Sequence, residues 1–452
     1  MKTLTDARPK LIAGILFARL AVAVSAIAAD LKVPADYPMV QAAVDAASDG
    51  DTIHIAPGVY TEQILIISKR LTLIGQPGTI LRATTDMSPV PGIPPIIPLM
   101  AIRFSDVTVR GCTFEGDRLA GYYVDPDALD LEGLFFGQSS GNVENCAFYG
   151  FRESTPGLEG GDGVVVVNFD DQPVNVRVTG CTFADNNTGV YFHGLPTHQT
   201  VNVTIENNTF IGPGPLGGKF SCEGIFIREG VGGRIAGNTI SDFSYVGTGA
   251  DFPISFGIVA ANEANSPEFG VLQHLEIEGN TLRDNQIHIA VLKANGSIVS
   301  NNHFQGTAPD FLPLGLAATG TNVTIANNQF ENMPEGIRLF GDDPNWGTLL
   351  GIAINAQVTS NRFCGVTSPF TVQPLATATQ TGTALDSCSS PPLVIAPAVL
   401  ISWPGAEAGW TVESATNVVG PWMPSAATPF KQDGRNNIAV PTEGTHRFFR
   451  LR

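Results

Sequence analysis

The chain has 452 residues, of which 43% are hydrophobic and 15% are charged, and its formal net charge is −17. This length and composition allow one large core and a small second domain. The acidic balance argues against nucleic acid as a partner, because a polyanion is bound by a basic face.

The first residues have the composition of an export signal. A basic region that contains Lys2 and Lys10 precedes an apolar run over 11–24, and the small residues Ala26 and Ala28 follow it. This succession is typical of a secretory signal peptide, which we place at residues 1–29. The apolar run is short and interrupted, so a span across ~30 Å of hydrocarbon is disfavoured. We therefore expect a secreted or cell-surface protein with no membrane span once the signal is removed.

A helix and three strands are predicted next. Apolar residues recur at helical spacing from Tyr37 to Ala47, and Pro38 suits a first helical turn. We expect this helix to cap the end of the fold, because an exposed terminal strand would present unpaired backbone groups. The segments 52–55, 64–67 and 71–74 are rich in Ile, Leu and Thr and predict strands.

A phrase of a short strand, a pivot residue and an apolar residue two positions later then recurs along the chain. Val203-Thr-Ile-Glu-Asn-Asn208-Thr-Phe210 is a clear example. Its pivots are Cys112, Cys146, Cys181, Asn208, Asn238, Asn280, Asn302, Asn328 and Asn361. Units of this size cannot bury their apolar faces alone and must stack into a continuous core. We expect the pivots to form a ladder at one turn, with asparagine amides hydrogen-bonded between coils.

A second phrase, exemplified by Glu223-Gly-Ile-Phe-Ile227, follows several of the pivots, so each coil holds more than one strand. Together with the opening segments 33–44 and 50–60, this pattern resembles the pectate-lyase-like superfamily from about residue 31 to 372. The resemblance implies an all-β chain: a right-handed single-stranded parallel β-helix over 30–372, with an N-terminal helical cap. Because many activities share this fold, the resemblance does not specify a reaction.

The periodicity stops after Thr371. A segment rich in Thr, Ser and Ala predicts a linker over 373–395, and alternating strands resume over 396–452. We predict a small β-sandwich-like module there. Its final residues, 447–452, resemble the end of a C-terminal module found on secreted bacterial proteins, which implies sorting or surface attachment; a β-rich cap or spacer is the alternative.

The cysteines and acidic pairs raise two further possibilities. The three pivot cysteines should be buried thiols, whereas Cys364 and Cys388 close a modest loop and are the pair expected if a disulfide forms. The Asp pairs could supply carboxylate ligands to Ca²⁺, although such residues also serve in turns. These pairs are Asp49 with Asp51, Asp170 with Asp171, and Asp342 with Asp343.

Strand alternation identifies a candidate site. In the superfamily, substrates generally lie along the sheet of Gly-Ile strands, so the outward residues of those strands are of interest. Alternation places Tyr191 and His193 outward in one coil and Phe226 and Arg228 outward in the next, about 4.8 Å away if the registers align. Aromatic rings can stack on sugars, Arg228 can hold a carboxylate, and His193 or Tyr191 can remove a proton from a uronate.

Two more outward residues, Arg338 and Phe340, lie further along the same face and extend the predicted substrate-binding surface. Between the two groups, apolar residues such as Val259 and Leu292 also face outward, and we expect a loop to cover them.

Two classes of function remain open. One is an enzyme that binds and cleaves extracellular polysaccharide, as a polysaccharide lyase or glycoside hydrolase, with a cell-envelope glycan as partner. The other is a non-catalytic surface or adhesive glycan-binding protein. The motifs of pectin methylesterases, polygalacturonases and pectate lyases are mostly missing, which favours the second class.

Overall fold

The computed structural model describes residues 28–90, 96–117, 130–152, 161–216, 222–245, 255–261, 272–306, 314–341 and 351–386 of the first compact unit. In the C-terminal part it describes 398–404, 412–415, 423–424, 430–432, 435–441 and 448–451. The two compact units comprise Met1–Ser387 and Cys388–Arg452.

The first unit is a parallel β-helix of three long sheets, each of which takes one strand from successive coils. Every coil runs from the first sheet through the pivot turn to the second sheet and then to the third. Crossovers between parallel strands of one sheet are right-handed in nearly all proteins, and the three parallel sheets are consistent with a right-handed β-helix. The predicted fold class is thus confirmed.

The strands of the first sheet are Asp30–Val33, Thr52–Ile55, Arg70–Gly75, Asp106–Arg110, Ser140–Glu144, Val174–Thr179, Val201–Glu206, Val231–Ala236, Leu275–Glu278, Ile298–Ser300, Thr324–Ala326, Ala356–Thr359 and Ala378–Thr381. Those of the second sheet are Gly58–Tyr60, Thr79–Arg82, Thr113–Glu115, Ala147–Tyr149, Thr182–Ala184, Thr209–Leu216, Thr239–Tyr245, Thr281–Arg283, His303–Gln305, Gln329–Glu331, Arg362–Cys364 and Ala384–Asp386.

The third sheet contains the Gly-Ile strands. Its members are Ile64–Ile67, Ile96–Arg103, Asp130–Gly137, Asp162–Val167, Thr188–His193, Glu223–Ile227, Phe256–Ala261, Ile287–Leu292, Leu314–Ala318, Glu335–Leu339 and Ser368–Val372. Two short pairs, Leu272–Gln273 with Ala294–Asn295 and Gly320–Thr321 with Ala353–Ile354, lie beside the main sheets.

The pivot turn holds a ladder of buried side chains. Asn208 donates from Nδ2 to Oδ1 of Asn238 at 3.0 Å and to the Val178 carbonyl at 3.0 Å. The same amide arrangement links Asn238, Asn280, Asn302, Asn328 and Asn361 in order. Below it, Cys181 donates its backbone N–H to Oδ1 of Asn208 at 2.8 Å. The ladder satisfies polar groups that would otherwise be buried without partners, and so it fixes the register of the coils.

Aromatic stacking fills the core beside the ladder. Phe183 and Phe210 stack with ring centroids 4.7 Å apart, and an equivalent stack joins Phe304 and Phe330 at 4.4 Å. Glycine at the start of the third-sheet strands makes room for these rings: a Cβ on Gly189 would lie 2.5 Å from Cδ1 of Phe210. The Gly-Ile phrase is therefore a packing requirement of the phenylalanine stack.

The capping helix is shorter than predicted. It spans Val40–Ala46 rather than 37–47, because Met39 is extended and serves as its N-cap. The carboxylate of Glu62 accepts the backbone N–H groups of Val40 and Gln41 at 2.8 and 2.9 Å, which satisfies the first turn from another segment of the chain. No helix in the described residues is long and apolar enough to cross a membrane.

The coils extend further than the sequence pattern indicates. Ala378–Thr381 and Ala384–Asp386 continue the first and second sheets into the segment for which a linker over 373–395 is predicted. The side chains of Ala378–Thr381 are exposed, so these strands pair through the backbone without the buried apolar residues that make the earlier coils recognisable.

The second unit contains two small antiparallel sheets. Ala398–Pro404, Arg435–Pro441 and Phe430–Gln432 form one, and Met423–Pro424, Val412–Ala415 and Phe448–Leu451 form the other. These strands lie within residues 396–452, where alternating strands are predicted from sequence.

Candidate functional site

Polar and aromatic side chains converge on the outer face of the third sheet at two neighbouring coils. The Tyr191 cluster, as we name it, comprises Tyr191, His193, Phe226, Arg228 and Glu229. Thr188–His193 pairs in parallel with Glu223–Ile227, and the register sets Tyr191 directly opposite Phe226, as alternation predicts. Their rings meet edge to face with centroids 5.3 Å apart.

His193 lies at the centre of the Tyr191 cluster. Its Nδ1 lies 3.2 Å from the Tyr191 hydroxyl, and its Nε2 lies 3.3 Å from Oε2 of Glu229. Arg228 approaches the same two partners, with Nε 3.2 Å from Oε2 of Glu229 and one terminal nitrogen 3.5 Å from the Tyr191 hydroxyl. The hydroxyl and the carboxylate thus each contact both the imidazole and the guanidinium.

Burial differs sharply within the cluster. The Glu229 side chain is only 3% exposed, whereas those of His193 and Arg228 are 20% and 24% exposed. Burial by itself raises the pKa of Glu229, but the hydrogen bond from His193, a backbone N–H and the charge of Arg228 outweigh it and lower the pKa to about 2. Glu229 is therefore an ionised group behind a partly accessible histidine.

Two aromatic residues flank His193. Phe169, on the turn after the preceding third-sheet strand, is 46% exposed and meets the His193 ring edge to face at 4.9 Å. With Phe226 on the following coil, it gives the cluster apolar surface on both sides. Rings of this kind pack against the C–H faces of pyranoses.

Two apolar and mostly buried groups of side chains border the cluster on the outer face. On the N-terminal side, Ala101, Phe135 and Val165 pack together and reach Tyr191. On the C-terminal side, a second apolar cluster reaches Phe226; it contains Val259, Ala261, Ala290, Leu292, Leu314, Ala317 and Phe340. The Tyr191 cluster is the polar interval between these two apolar surfaces.

The remaining predicted substrate-binding residues do not join the cluster. Phe340 is 5% exposed within the second apolar cluster, so the expectation of an exposed ring is wrong: outward alternation does not guarantee exposure when the face is covered. Arg338 is ion-paired with Glu335 and lies over the Phe340 ring at 5.7 Å. Four strand pairings separate it from Phe226, or about 19 Å at the usual strand spacing.

Glu229 and Phe169 are the residues that the alternation rule does not identify. Both follow the last residue of a third-sheet strand, where alternation no longer applies. Position alone gives a signal for Glu229, which directly follows Arg228. His198 is close to His193 in sequence, but its Nε2 lies 3.8 Å from Oδ1 of Asp171.

The candidate calcium ligands are in different surroundings. The Asp51 carboxylate accepts the backbone N–H groups of Ala29 and Ser48 at 2.7 and 2.8 Å, and these bonds lower its pKa. Asp49 similarly accepts the N–H of Arg70. This pair serves in a turn. Asp342 and Asp343 lie outside the described residues, within which no group of three His, Cys, Asp or Glu side chains is arranged to hold a metal ion.

The cysteines fall into two kinds. Cys112, Cys146, Cys181 and Cys222 are free and buried. Burial raises the pKa of Cys222 to about 12, so it is a thiol at neutral pH. Cys364 is disulfide-bonded, and Cys388, its predicted partner, lies outside the described residues.

Solved structures share the fold at low sequence identity. A GH136 lacto-N-biosidase from Eubacterium ramulus is 10% identical with a TM-score of 0.50, over 75% of this chain and 62% of that one. This chain thus spans less than two thirds of that enzyme. A mannuronic acid specific polysaccharide family 6 lyase from human gut microbiota is 12% identical with a TM-score of 0.44, over 79% and 91%. Such likenesses concern the fold alone.

Comparison of the sequence with curated proteins gives no match. One family model, described as the right handed beta helix region, matches residues 99–240 and 267–368, which is more than half of the chain. The chain therefore belongs to the right-handed β-helix family.

Proposed function

We propose that the protein binds an extracellular polysaccharide containing uronic acid residues at the Tyr191 cluster and cleaves it by β-elimination. The observation that carries this is the contact of His193 with both Tyr191 and Glu229, at 3.2 and 3.3 Å, beside the Arg228 guanidinium. A proton acceptor and a cation for a carboxylate therefore lie together on one accessible surface.

The chemistry of elimination matches these groups. The C5 proton of a uronate is acidic only because its carboxylate can take up the electrons as an enediolate. Arg228 can bind that carboxylate and stabilise the charge that develops on it. Tyr191 and His193 are the groups placed beside Arg228 that can accept the proton.

Elimination is favoured over hydrolysis by the state of the carboxyl group. Most glycoside hydrolases use a pair of carboxyl groups, one of which is protonated and donates to the leaving oxygen. In the Tyr191 cluster the carboxyl group is that of Glu229, and its pKa of about 2 keeps it ionised at neutral pH. It cannot act as the acid.

The fold is compatible with action on carbohydrate, since the Eubacterium ramulus protein that shares it is a lacto-N-biosidase by name. That likeness extends to the fold alone, so the substrate and reaction are assigned here from the residues of the Tyr191 cluster. Export of the chain, with residues 1–29 as signal, belongs to the same proposal, as does attachment or sorting through the C-terminal module.

A non-catalytic glycan-binding protein is the second candidate. The exposed ring of Phe169 and the partly buried ring of Phe226 favour it, because stacking surfaces bind sugars without any proton transfer. The two candidates differ in turnover and not in binding.

The test is a set of variants measured for both properties. Purified protein is titrated with uronic-acid and neutral polysaccharides while new double bonds are followed by absorbance. His193→Ala should abolish double-bond formation, and Arg228→Ala should also weaken binding of the anionic polymer. Arg110→Ala is the matched control, because Arg110 is ion-paired with Glu144 on the first sheet, away from the cluster. Equal loss in all three variants, or no loss in any, would reject the site.

A further inference from the structure

We propose that Tyr191 is the catalytic base and that Glu229 is a positioning residue that acts on it through His193. This assignment rests on the lyase activity proposed above and identifies which group takes the proton. It follows from the order of contacts Glu229, His193, Tyr191 and from the hydrogen-bonding capacity of each group.

The first step is the protonation state of the His193 ring. An ionised carboxylate can only accept hydrogen bonds, so the 3.3 Å contact between Oε2 of Glu229 and Nε2 of His193 requires a proton on Nε2. In the neutral ring the other nitrogen, Nδ1, then has a free lone pair. Glu229 thus selects the tautomer.

The second step is the role of Nδ1. It lies 3.2 Å from the Tyr191 hydroxyl, and as an acceptor it can receive only the phenolic proton. The lone pair of His193 is occupied by this bond, so His193 is poorly placed to take a proton from a substrate directly. The phenolic oxygen is the group that can do so, while its own proton passes to Nδ1.

The third step is the field around the phenol. One terminal nitrogen of Arg228 lies 3.5 Å from the Tyr191 oxygen, where it faces the negative charge that develops as the proton leaves. The ring itself is held edge-on by Phe226 at 5.3 Å. Among the described residues, Val167 and Phe169 lie beside His193 on the preceding coil and carry no charge, whereas Glu229 contacts the imidazole and Arg228 contacts the phenol.

The step balances as follows. The Tyr191 oxygen takes the C5 proton as its phenolic proton moves to Nδ1, giving an imidazolium paired with Glu229. The C5–H electrons form the C4–C5 double bond, and the C4–O bond breaks with its electrons on the glycosidic oxygen. The Tyr191 hydroxyl then donates its newly gained proton to that oxygen while the proton on Nδ1 returns to the phenolic oxygen, so the His193 ring is neutral again and Tyr191 is a phenol.

The tautomer can be tested without any turnover. In protein labelled with ¹⁵N-histidine, the His193 signals are assigned by their loss in His193→Gln. The expected spectrum at neutral pH shows a protonated Nε2 and an unprotonated Nδ1. A ring protonated on Nδ1 would overturn the inference, whatever the activity.

The roles are then tested by kinetics. Tyr191→Phe, which keeps the ring, should retain polysaccharide binding and lose at least about 100-fold in turnover. Glu229→Gln removes the partner of the imidazolium, so turnover should fall by a similar factor and the acid limb of its pH profile should move to lower pH. Glu229→Asp restores the charge and should bring the acid limb back toward that of the wild type.

Each failure has a distinct signature. Turnover that survives Tyr191→Phe, or an acid limb that does not move in Glu229→Gln, overturns the assigned roles while leaving the lyase activity in place. A wild-type protein that has the expected tautomer but forms no double bonds on any polymer refutes the lyase activity itself, and the base assignment with it.

Discussion

Replacing Asn208 by leucine tests the pivot ladder most directly. The Asn208 amide donates to the Val178 carbonyl and to Asn238, and its Oδ1 accepts the backbone N–H of Cys181 at 2.8 Å. Leucine has a similar volume and can make none of these bonds. Asn208→Leu should therefore fold into the same coils but with a buried polar group left unpaired.

The magnitude follows from which groups lose their partners. Oδ1 of Asn238 still accepts the backbone N–H of residue 208 at 2.9 Å, so it stays satisfied. The N–H of Cys181 loses its acceptor, and the Val178 carbonyl loses its bond from the Asn208 amide. One buried donor without a partner costs roughly 1–3 kcal/mol, and this is the destabilisation that we expect.

Chemical denaturation followed by circular dichroism measures the loss of stability in Asn208→Leu, with Asn175→Leu as control. Asn175 is exposed on the preceding coil, on strand Val174–Thr179, so the same substitution there should change stability by no more than about 0.5 kcal/mol. If the midpoint of Asn208→Leu matches that of the control, the ladder does not hold the register and the reasoning is refuted.

Three other predictions concern the site and the chain. Phe226→Ala should weaken polysaccharide binding with little effect on folding. Tyr149→Ala removes an exposed ring from the second sheet and should leave binding unchanged, so equal titration curves for the two variants would exclude stacking at Phe226. The native pKa of Glu229 is about 2 against an ordinary 4.5, so its ionisation contributes about 3 kcal/mol of stability above pH 4.5 that is lost as pH falls toward 2. The stability of wild type relative to Glu229→Gln should therefore fall by about this amount between pH 4.5 and pH 2, and a difference that does not change with pH would contradict the assignment. Intact-mass measurement of exported protein should show loss of residues 1 to about 28, and a mass that includes Met1 would contradict it.

The fold could be predicted from sequence because its determinants repeat. The Cys or Asn of each pivot and the apolar residue two positions later occupy the same place in successive coils, so their spacing gives the register by counting. Gly189 and its equivalents mark the third sheet for a steric reason that repeats as well. Repetition makes each local signal a confirmation of the others.

The site could be predicted only where alternation holds. Tyr191 and Phe226 lie within strands, and their pairing follows from period two. Glu229 and Phe169 lie in turns, where side-chain direction depends on local backbone geometry that the sequence pattern does not specify. Phe340 shows the opposite limit, because alternation gives the face of a residue but not what packs over it.

Product analysis tests the central claim most directly. The purified protein is incubated with each uronic-acid polysaccharide, and the products are examined by mass spectrometry and by absorbance of the conjugated double bond. β-Elimination at the Tyr191 cluster predicts oligosaccharides with an unsaturated end, each lighter by one water than the hydrolytic product, from wild type but not from Tyr191→Phe. Saturated products, the same unsaturated products from both proteins, or polymer that is bound but never shortened would contradict it.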